Sequence, residues 1–149
     1  MSPNELPELA SIAETLNQES NEINSTIASL NKELAALNLG IEVWCGPWDE
    51  DPIQIGFAKV EDGKTSSWEL ATRTCVPIIK KSDFGYEEWE AKPGSAGEAQ
   101  PLIRASRNVR IDGLQVVSQI ISALKAAALG KVDAIRNAKK IAADLAVKA

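Results

Sequence analysis

The stretch LPELASIAETLNQESNEINSTIASLNKELAAL, residues 6–37, decides the fold, because apolar residues recur in it every three or four positions. Mostly Asn, Ser, Thr, Gln and Glu lie between them. This heptad seam is typical of a helix that packs lengthwise along another helix. Its two positions hold Leu6, Ala13, Ser20, Ile27 and Leu34, and Leu9, Leu16, Ile23, Leu30 and Leu37. We therefore predict a long helix over residues 8–38.

A second helical pattern closes the chain, over residues 106–146. Its apolar residues keep the same spacing of three and four, although Gly113 and Gly130 weaken it by up to about 1 kcal/mol each relative to alanine. We expect the two long helices to pack antiparallel. The seam of the first helix then pairs either with the last helix of the same chain or with a second chain, and the sequence leaves both open.

Residues 41–76 between the helices have the pattern of an antiparallel β-meander of about three strands. Ile41, Val43 and Cys45 alternate with Glu42 and Trp44, which is typical of a half-buried strand. Two further predicted strands, residues 53–60 and 65–76, follow. The meander therefore forms a small sheet between two helices, which makes the fold class α+β.

The dipeptide Asp62-Gly63 predicts a tight hairpin between the second and third strands. With these two residues as the turn, three cross-strand pairs share one face: Phe57 with Trp68, Ile55 with Leu70, and Ile53 with Thr72. Pairs of this kind stabilise a ribbon by roughly 0.2–1 kcal/mol each. We predict that this face is core and that the opposite face is polar or lightly covered.

Residues 77–104 are punctuated by prolines and glycines and are predicted to form a long loop. Loops of this length are uncommon in compact domains and are often binding segments. We expect residues 1–149 to form a single domain, because the chain is long enough for one core and short for two.

Composition narrows the functional classes. Hydrophobic residues make up 44% and charged residues 25%, which are ordinary globular values. The net charge of −5 disfavours nucleic-acid binding, because phosphate backbones are repelled. Neither a signal-peptide pattern nor an apolar run of roughly 20 residues is present, so we expect a soluble cytoplasmic protein that does not engage a membrane. The two cysteines are expected to be free thiols.

The chain contains no histidine, which removes the commonest general base and most zinc sites. We also find no phosphate-binding loop, nucleophile elbow or Cys-x-x-Cys motif. The acidic runs at residues 49–51 and 87–90 do not have the spacing of a calcium-binding loop and are expected to be solvated. The sequence therefore predicts no catalytic residues, no metal site and no cofactor, and an enzyme is disfavoured.

Four of the seven aromatic residues are tryptophans. Trp68 is assigned to the core by the hairpin register. Trp44 has the opposite parity from Val43, while Trp48 and Trp89 fall in predicted loops. Tryptophans of this kind act either as interface anchors or as lids over a small core, and both interpretations stay open.

Arg104, Arg107 and Arg110 recur every three residues near the start of the last helix, where the helix dipole disfavours cations. They either form internal ion pairs with the acidic loops or bind an anion or an acidic partner.

We predict a non-catalytic protein-interaction module that uses the helical seam and a head bearing tryptophan and arginine. Its partner is a protein, which can be a second copy of the chain. The alternative is a small-molecule or anion-binding domain with an arginine-lined pocket between sheet and helices, favoured if Arg73 lies beside the other arginines. The predicted contact residues are Trp44, Trp48, Trp89, Arg104, Arg107 and Arg110.

Overall fold

The structure, a computed structural model, describes residues 3–148 and confirms the α+β class. Two long helices flank a small antiparallel sheet, and α1 lies close to its predicted limits. The helices are α1 (Glu5–Ala36), α2 (Arg107–Gln115) and α3 (Val117–Lys148), with a 3₁₀ turn at Leu102–Arg104. The strands are β1 (Val43–Cys45), β2 (Ile53–Asp62), β3 (Thr65–Thr74), β4 (Pro77–Lys81), β5 (Glu87–Ala91) and β6 (Gln100–Pro101).

The main sheet has the order β1-β2-β3-β6 and is antiparallel throughout. The predicted three-strand meander is therefore present, with the short strand β6 added beside β3. The predicted turn is displaced by one residue, because Asp62 pairs with Thr65 and the two turn residues are Gly63 and Lys64. Gly63 has a φ of 63°, which suits the first central position of a type II′ turn.

The displaced turn moves the β2–β3 register by two residues. Phe57 lies opposite Leu70, and Lys59 lies opposite Trp68. Because side chains alternate with a period of two, this shift changes the partners but leaves each residue on its predicted face. The Phe57 and Trp68 rings stack diagonally with their centroids 5.8 Å apart, so the predicted common face is confirmed.

The core lies between that face of the sheet and the helices. The C-terminal half of α1 packs on β3, and the first turns of α3 pack on β1, with α2 and the 3₁₀ turn alongside. The side chains buried there are Ile27, Leu34, Ile55, Phe57, Leu70, Leu102, Ile120 and Leu124. The opposite face is covered more thinly, by Trp44 and Ala99 over a second small apolar cluster.

The predicted loop at residues 77–104 is wrong over much of its length. Strands β4 and β5 form a separate two-stranded ribbon, and β6 and the 3₁₀ turn follow. Pro77 is compatible with a strand because it is the first residue of β4, where a proline costs no ladder hydrogen bond. The prolines and glycines in this segment therefore mark strand ends and turns.

The predicted continuous helix over residues 106–146 is broken at Val116 into α2 and α3, whose axes differ by 53°. Ser106 caps α2, because its side-chain oxygen accepts from the backbone N–H of Val109. Gly113 permits close packing on the 3₁₀ turn, since an added Cβ would lie 2.7 Å from a methyl carbon of Leu102. Gly130 lies within α3 and does not interrupt it.

Both long helices extend beyond the core. Every residue of positions 5–19, the free half of α1, is exposed, and so is every residue of positions 129–148, the free half of α3. The predicted antiparallel packing of the two helices is not seen along these halves, since their apolar faces are uncovered. Each helix is instead held by the sheet, α1 through residues 20–36, the covered half, and α3 through its first turns.

Candidate functional interface

The seam of α1 keeps the same spacing of apolar residues in the half that packs on the core and in the half that is exposed to solvent. In the covered half, Ile27 is completely buried, and Ser20 and Leu34 are also buried. In the free half, four large apolar side chains are between 44% and 63% exposed: Leu6, Leu9, Ile12 and Leu16. A contiguous exposed apolar stripe is unusual on a protein surface, whereas isolated exposed apolar residues are normal.

The free half of α3 has a comparable stripe. Its large apolar side chains are between 39% and 87% exposed: Leu129, Val132, Ile135, Ile141, Leu145 and Val147. Alanines at positions 138 and 142 continue the stripe between them. Small side chains allow another helix to approach closely, so this face suits helix packing.

The two free halves carry opposite charge. The free half of α1 contains four glutamates and no lysine or arginine, a net charge of −4. The free half of α3 contains five basic residues against Asp133 and Asp144, a net charge of +3. Because the whole chain is acidic, the basic surface of α3 stands apart from the rest of the molecule.

The β4–β5 ribbon forms a second exposed apolar patch. Ile79 lies opposite Trp89, and both side chains are partly exposed. The turn between the strands carries Phe84 and Tyr86, which are 88% and 72% exposed. Among the predicted contact residues, Trp89 is therefore the one that lies on this ribbon with other exposed apolar side chains.

Trp44 lies on the thin face of the sheet and is held by its neighbours. The guanidinium of Arg73 stacks over its ring, 4.3 Å from the centroid, and the indole Nε1 donates to Glu42 at 2.6 Å. Arg73 Nε also donates to Gln54 Oε1 at 2.8 Å, and the Gln54 amide donates to the carbonyl of Gly46 at 2.8 Å. Burial lowers the pKa of Arg73, while Glu42 opposes that shift. This network fastens β1 to β2 and β3.

Trp48 lies at the junction of the β1–β2 loop with α3. Its ring covers Gly46, whose φ of 88° is in the left-handed region, and its Nε1 donates to Gln119 at 3.4 Å. A cavity of about 250 Å³ beside it is lined by Asp49, Asp51 and Asp112 together with apolar side chains. Within residues 3–148, no group of three or more histidine, cysteine or acidic side chains has a metal-binding arrangement.

The three predicted arginines do not converge. Arg104 pairs with Asp62, with Nη2 3.3 Å from Oδ2 and both side chains exposed. Arg107 is exposed at the start of α2. Arg110 is half-buried, and its Nη1 donates to Asn24 Oδ1 of α1. In the described part of the chain, none of the three pairs with the acidic runs at 49–51 or 87–90.

Arg73 does not join the other arginines. It lies on the thin face of the sheet with Trp44 and Gln54, whereas Arg110 contacts α1 on the core side. Among the described residues, Arg73 and the three other arginines therefore do not line one common pocket, and the alternative function stays a prediction.

Cys45 and Cys75 are free thiols. Burial raises the pKa of both, and at Cys75 the nearby Arg73 opposes the rise while Asp51 adds to it. A raised pKa keeps a thiol protonated near neutral pH, so neither cysteine is an activated nucleophile.

No single helix among the described residues is long and apolar enough to cross a membrane. Only α2 and α3 taken together, with the bend between them, reach that length and composition.

No protein-family model, no curated protein and no solved structure matches the chain.

The sequence predicted the seam but missed that half of it is left uncovered. The charges carried a signal for these two helix ends, because Lys32 is the first basic residue of α1 while the end of α3 is rich in lysine. The exposed aromatics of the β4–β5 ribbon were missed with the ribbon itself. Among the six predicted contact residues, Trp48, Trp89 and Arg107 are exposed, and Trp48 also donates to Gln119. Trp44, Arg104 and Arg110 are held by Arg73, Asp62 and Asn24.

Proposed function

We propose that the chain is a non-catalytic protein-interaction module and that the free halves of α1 and α3 are its main contact surfaces. The observation that carries this proposal is the continuous α1 seam, which is covered by the sheet in one half and bare in the other. A heptad seam packs against another helix when one is present. The free half of α1 is therefore suited to helix pairing.

The physical cost of the bare surface supports the same proposal. Helices shorter than about 12–15 residues are marginal in water, and most helical stability in proteins comes from packing of an apolar face. The free halves, residues 5–19 and 129–148, are 15 and 20 residues long, and all of these residues are exposed. A partner that covers the apolar stripes therefore stabilises both helix ends, which couples binding to helix order.

The head contributes a smaller second surface in this proposal. Trp89 and Ile79 form an exposed pair on the β4–β5 ribbon, and aromatic side chains of this kind are common anchors at interfaces. Arg107 is exposed at the start of α2, whereas Arg104 and Arg110 are engaged by Asp62 and Asn24. The proposal assigns no catalytic step to the chain and places it in the cytoplasm, which its free thiols favour.

A seam variant tests the proposal. Leu9→Glu with Leu16→Glu puts charges into the bare seam, and Ser11→Glu with Gln18→Glu puts the same charges on the polar face of the same helix. The tagged full-length variants are used to isolate assemblies from the native cells, and their masses are measured. We expect the seam variant to lose every bound chain and the control to keep them. Equal assemblies with both variants would show that the seam is not a contact surface.

A head variant tests the second surface. We expect Trp89→Ala and Arg107→Glu to leave thermal unfolding nearly unchanged, because both side chains are exposed, and to weaken the assembly isolated with the tagged chain. Full retention of the assembly by both variants would remove the head from the contact surface and leave the seam alone.

A further inference from the structure

We propose that the partner of the free half of α1 is the free half of α3 in a second copy of this chain. This inference rests on the proposed function, since it names the occupant of the same surfaces. A two-fold dimer then forms two identical helix pairs, because each copy offers one acidic and one basic helix half.

Charge complementarity is the first argument for this occupant. The free half of α1 has a net charge of −4 and the free half of α3 has +3. Pairing α1 with a second α1, or α3 with a second α3, brings like charges together, which costs stability at an interface. Pairing α1 with α3 removes both repulsions at once and favours approach of the two surfaces.

The side-chain sequence of the two stripes supplies the second argument. In an antiparallel alignment, four consecutive layers can form: Leu6 with Leu145, Leu9 with Ala142, Ala13 with Ala138, and Leu16 with Ile135. The same alignment sets Ile12 beside Ile141 at the edge of the seam. Every large exposed apolar side chain of the α1 free half then meets an apolar residue of α3.

The ends of the two stripes also match in this alignment. The α3 seam becomes polar at Lys131, and the α1 seam enters its own core at Ser20, which is buried. The alignment brings three glutamates of α1 to within one or two residues of the level of three lysines of α3: Glu5 and Lys148, Glu14 and Lys139, and Glu19 and Lys131. Charges flanking an apolar seam are the usual determinants of partner and orientation in paired helices.

We infer that the partner helix comes from a second copy and not from the same chain. Within one chain both apolar stripes are exposed, and both helices are anchored on the sheet. The covered half of α1 and the first turns of α3 belong to the core through Ile27 and Ile120, which are completely buried. Each free half continues a helix of 32 residues without a break, so the anchored part of each helix fixes the direction of its exposed part.

Charge reversal with mixing tests the proposal on the purified full chain. The α1 variant carries Glu5→Lys, Glu14→Lys and Glu19→Lys, and the α3 variant carries Lys131→Glu, Lys139→Glu and Lys148→Glu. Solution mass is measured by light scattering over a concentration series. We expect a dimer for the unmodified chain, and for each variant alone a dissociation constant raised about tenfold or more. An equimolar mixture of the two variants should recover the dimer, because both helix pairs are again oppositely charged.

Cysteine cross-linking tests the register. One copy carries Leu16→Cys and the other carries Ile135→Cys, and the disulfide between them is identified by mass spectrometry of the joined peptides. The matched control replaces Ile135→Cys by Arg136→Cys, one residue further along and turned away from the seam. We expect the first pair to join several times faster than the control pair, and equal rates would overturn the alignment.

Two results would overturn the pairing of copies while leaving the proposed function standing. In the first, the unmodified chain stays monomeric at every concentration, but the Leu9→Glu, Leu16→Glu variant still loses an assembly from native cells. This combination would identify a different protein as the occupant. The other is a dimer whose mass is unaffected by either charge reversal. Circular dichroism of each variant, with helix content equal to that of the unmodified chain, separates these results from misfolding.

Discussion

The two halves of α1 carry one heptad seam in two surroundings. Ile27 in the covered half is completely buried, whereas Leu6, at the same seam position in the free half, is 62% exposed. The spacing of apolar residues does not change between them. The comparison shows that periodicity specifies which face of a helix is apolar but does not specify what covers it.

Polar contacts separate the two halves as clearly as burial does. In the covered half, Asn31 accepts a hydrogen bond from the backbone N–H of Leu70 at 2.8 Å, and Asn24 accepts one from Arg110. In the free half, Thr15 bonds only to the carbonyl of Ser11 in its own helix, at 3.3 Å. The covered half is therefore positioned by specific tertiary contacts that the free half lacks.

The largest expected difference between the two halves of α1 is in the loss of stability when an apolar side chain is truncated to alanine. We expect Ile27→Ala to lower the free energy of unfolding by about 2–5 kcal/mol, because it leaves a cavity in the core. Leu9→Ala should change it by less than about 0.5 kcal/mol, since that side chain is exposed in the single chain. Urea unfolding at concentrations below any assembly measures both. Equal losses would mean that the free half is covered even in the single chain.

Removal of the asparagine contact should give the next effect. Asn31→Ala leaves the N–H of buried Leu70 without its acceptor, at an expected cost of about 1–3 kcal/mol. Asn17→Ala in the free half is the control and should stay within about 0.5 kcal/mol of the unmodified chain. Chemical denaturation compares the two, and a cost shared by both variants would point to helix propensity instead of the tertiary bond.

A pair of arginine variants sharpens the comparison further. Arg110→Ala removes the bond to Asn24 and half-buried packing between α2 and α1, so we expect a loss of about 1–2 kcal/mol. Arg104→Ala removes only an exposed pair with Asp62 and should cost less than about 0.5 kcal/mol. Thermal unfolding of both variants measures the difference. A larger loss for Arg104→Ala would contradict the assignment of Arg110 as the link to the covered half.

The smallest expected effect concerns thiol chemistry. Because burial raises the pKa of Cys75, its thiolate fraction is low at neutral pH, and alkylation should be slow and should accelerate as the pH rises. A Ser11→Cys thiol on the polar face of the free half should react at the rate of a small free thiol. Mass spectrometry of alkylated peptides from pH 7 to pH 10 follows both, and equal rates at pH 7 would contradict the burial.

The same pKa shift sets the sign of a stability change. The unfolded thiols ionise near pH 8.5 and the folded thiols at higher pH, so the unfolded state loses protons first. The stabilising contribution is complete below that pH and is lost as the pH rises through the folded pKa. Urea midpoints at rising pH, compared with those of the Cys45→Ala, Cys75→Ala variant, test this direction.

Part of the fold could be predicted because local spacing carries it. The α1 seam, the strand alternation from Ile41 to Cys45 and the common face of Phe57 and Trp68 all depend on side chains a few residues apart. The β4–β5 ribbon could not be predicted in the same way, since its strands are short and bounded by proline and glycine. The break at Val116 was missed because α2 has to pack Gly113 on Leu102, a contact between separate elements.

Only part of the candidate interface could be predicted. The sequence indicated the apolar seam, which the structure leaves partly exposed, and the contact role of Trp89 stays a prediction. It could not show that Trp44 is held by Arg73, or that Arg104 and Arg110 are directed to Asp62 and Asn24. Those partners are distant in the chain, and local sequence patterns do not predict which distant polar residues contact each other.

The sequence by itself determined two amphipathic helices, a meander between them, and the opposite charges of the two helix ends, because these follow from composition and short-range spacing. Tertiary structure alone decided where the α1 seam stops being covered. Ser20 is the first buried residue of α1, so the same pattern is core on one side of that residue and bare on the other.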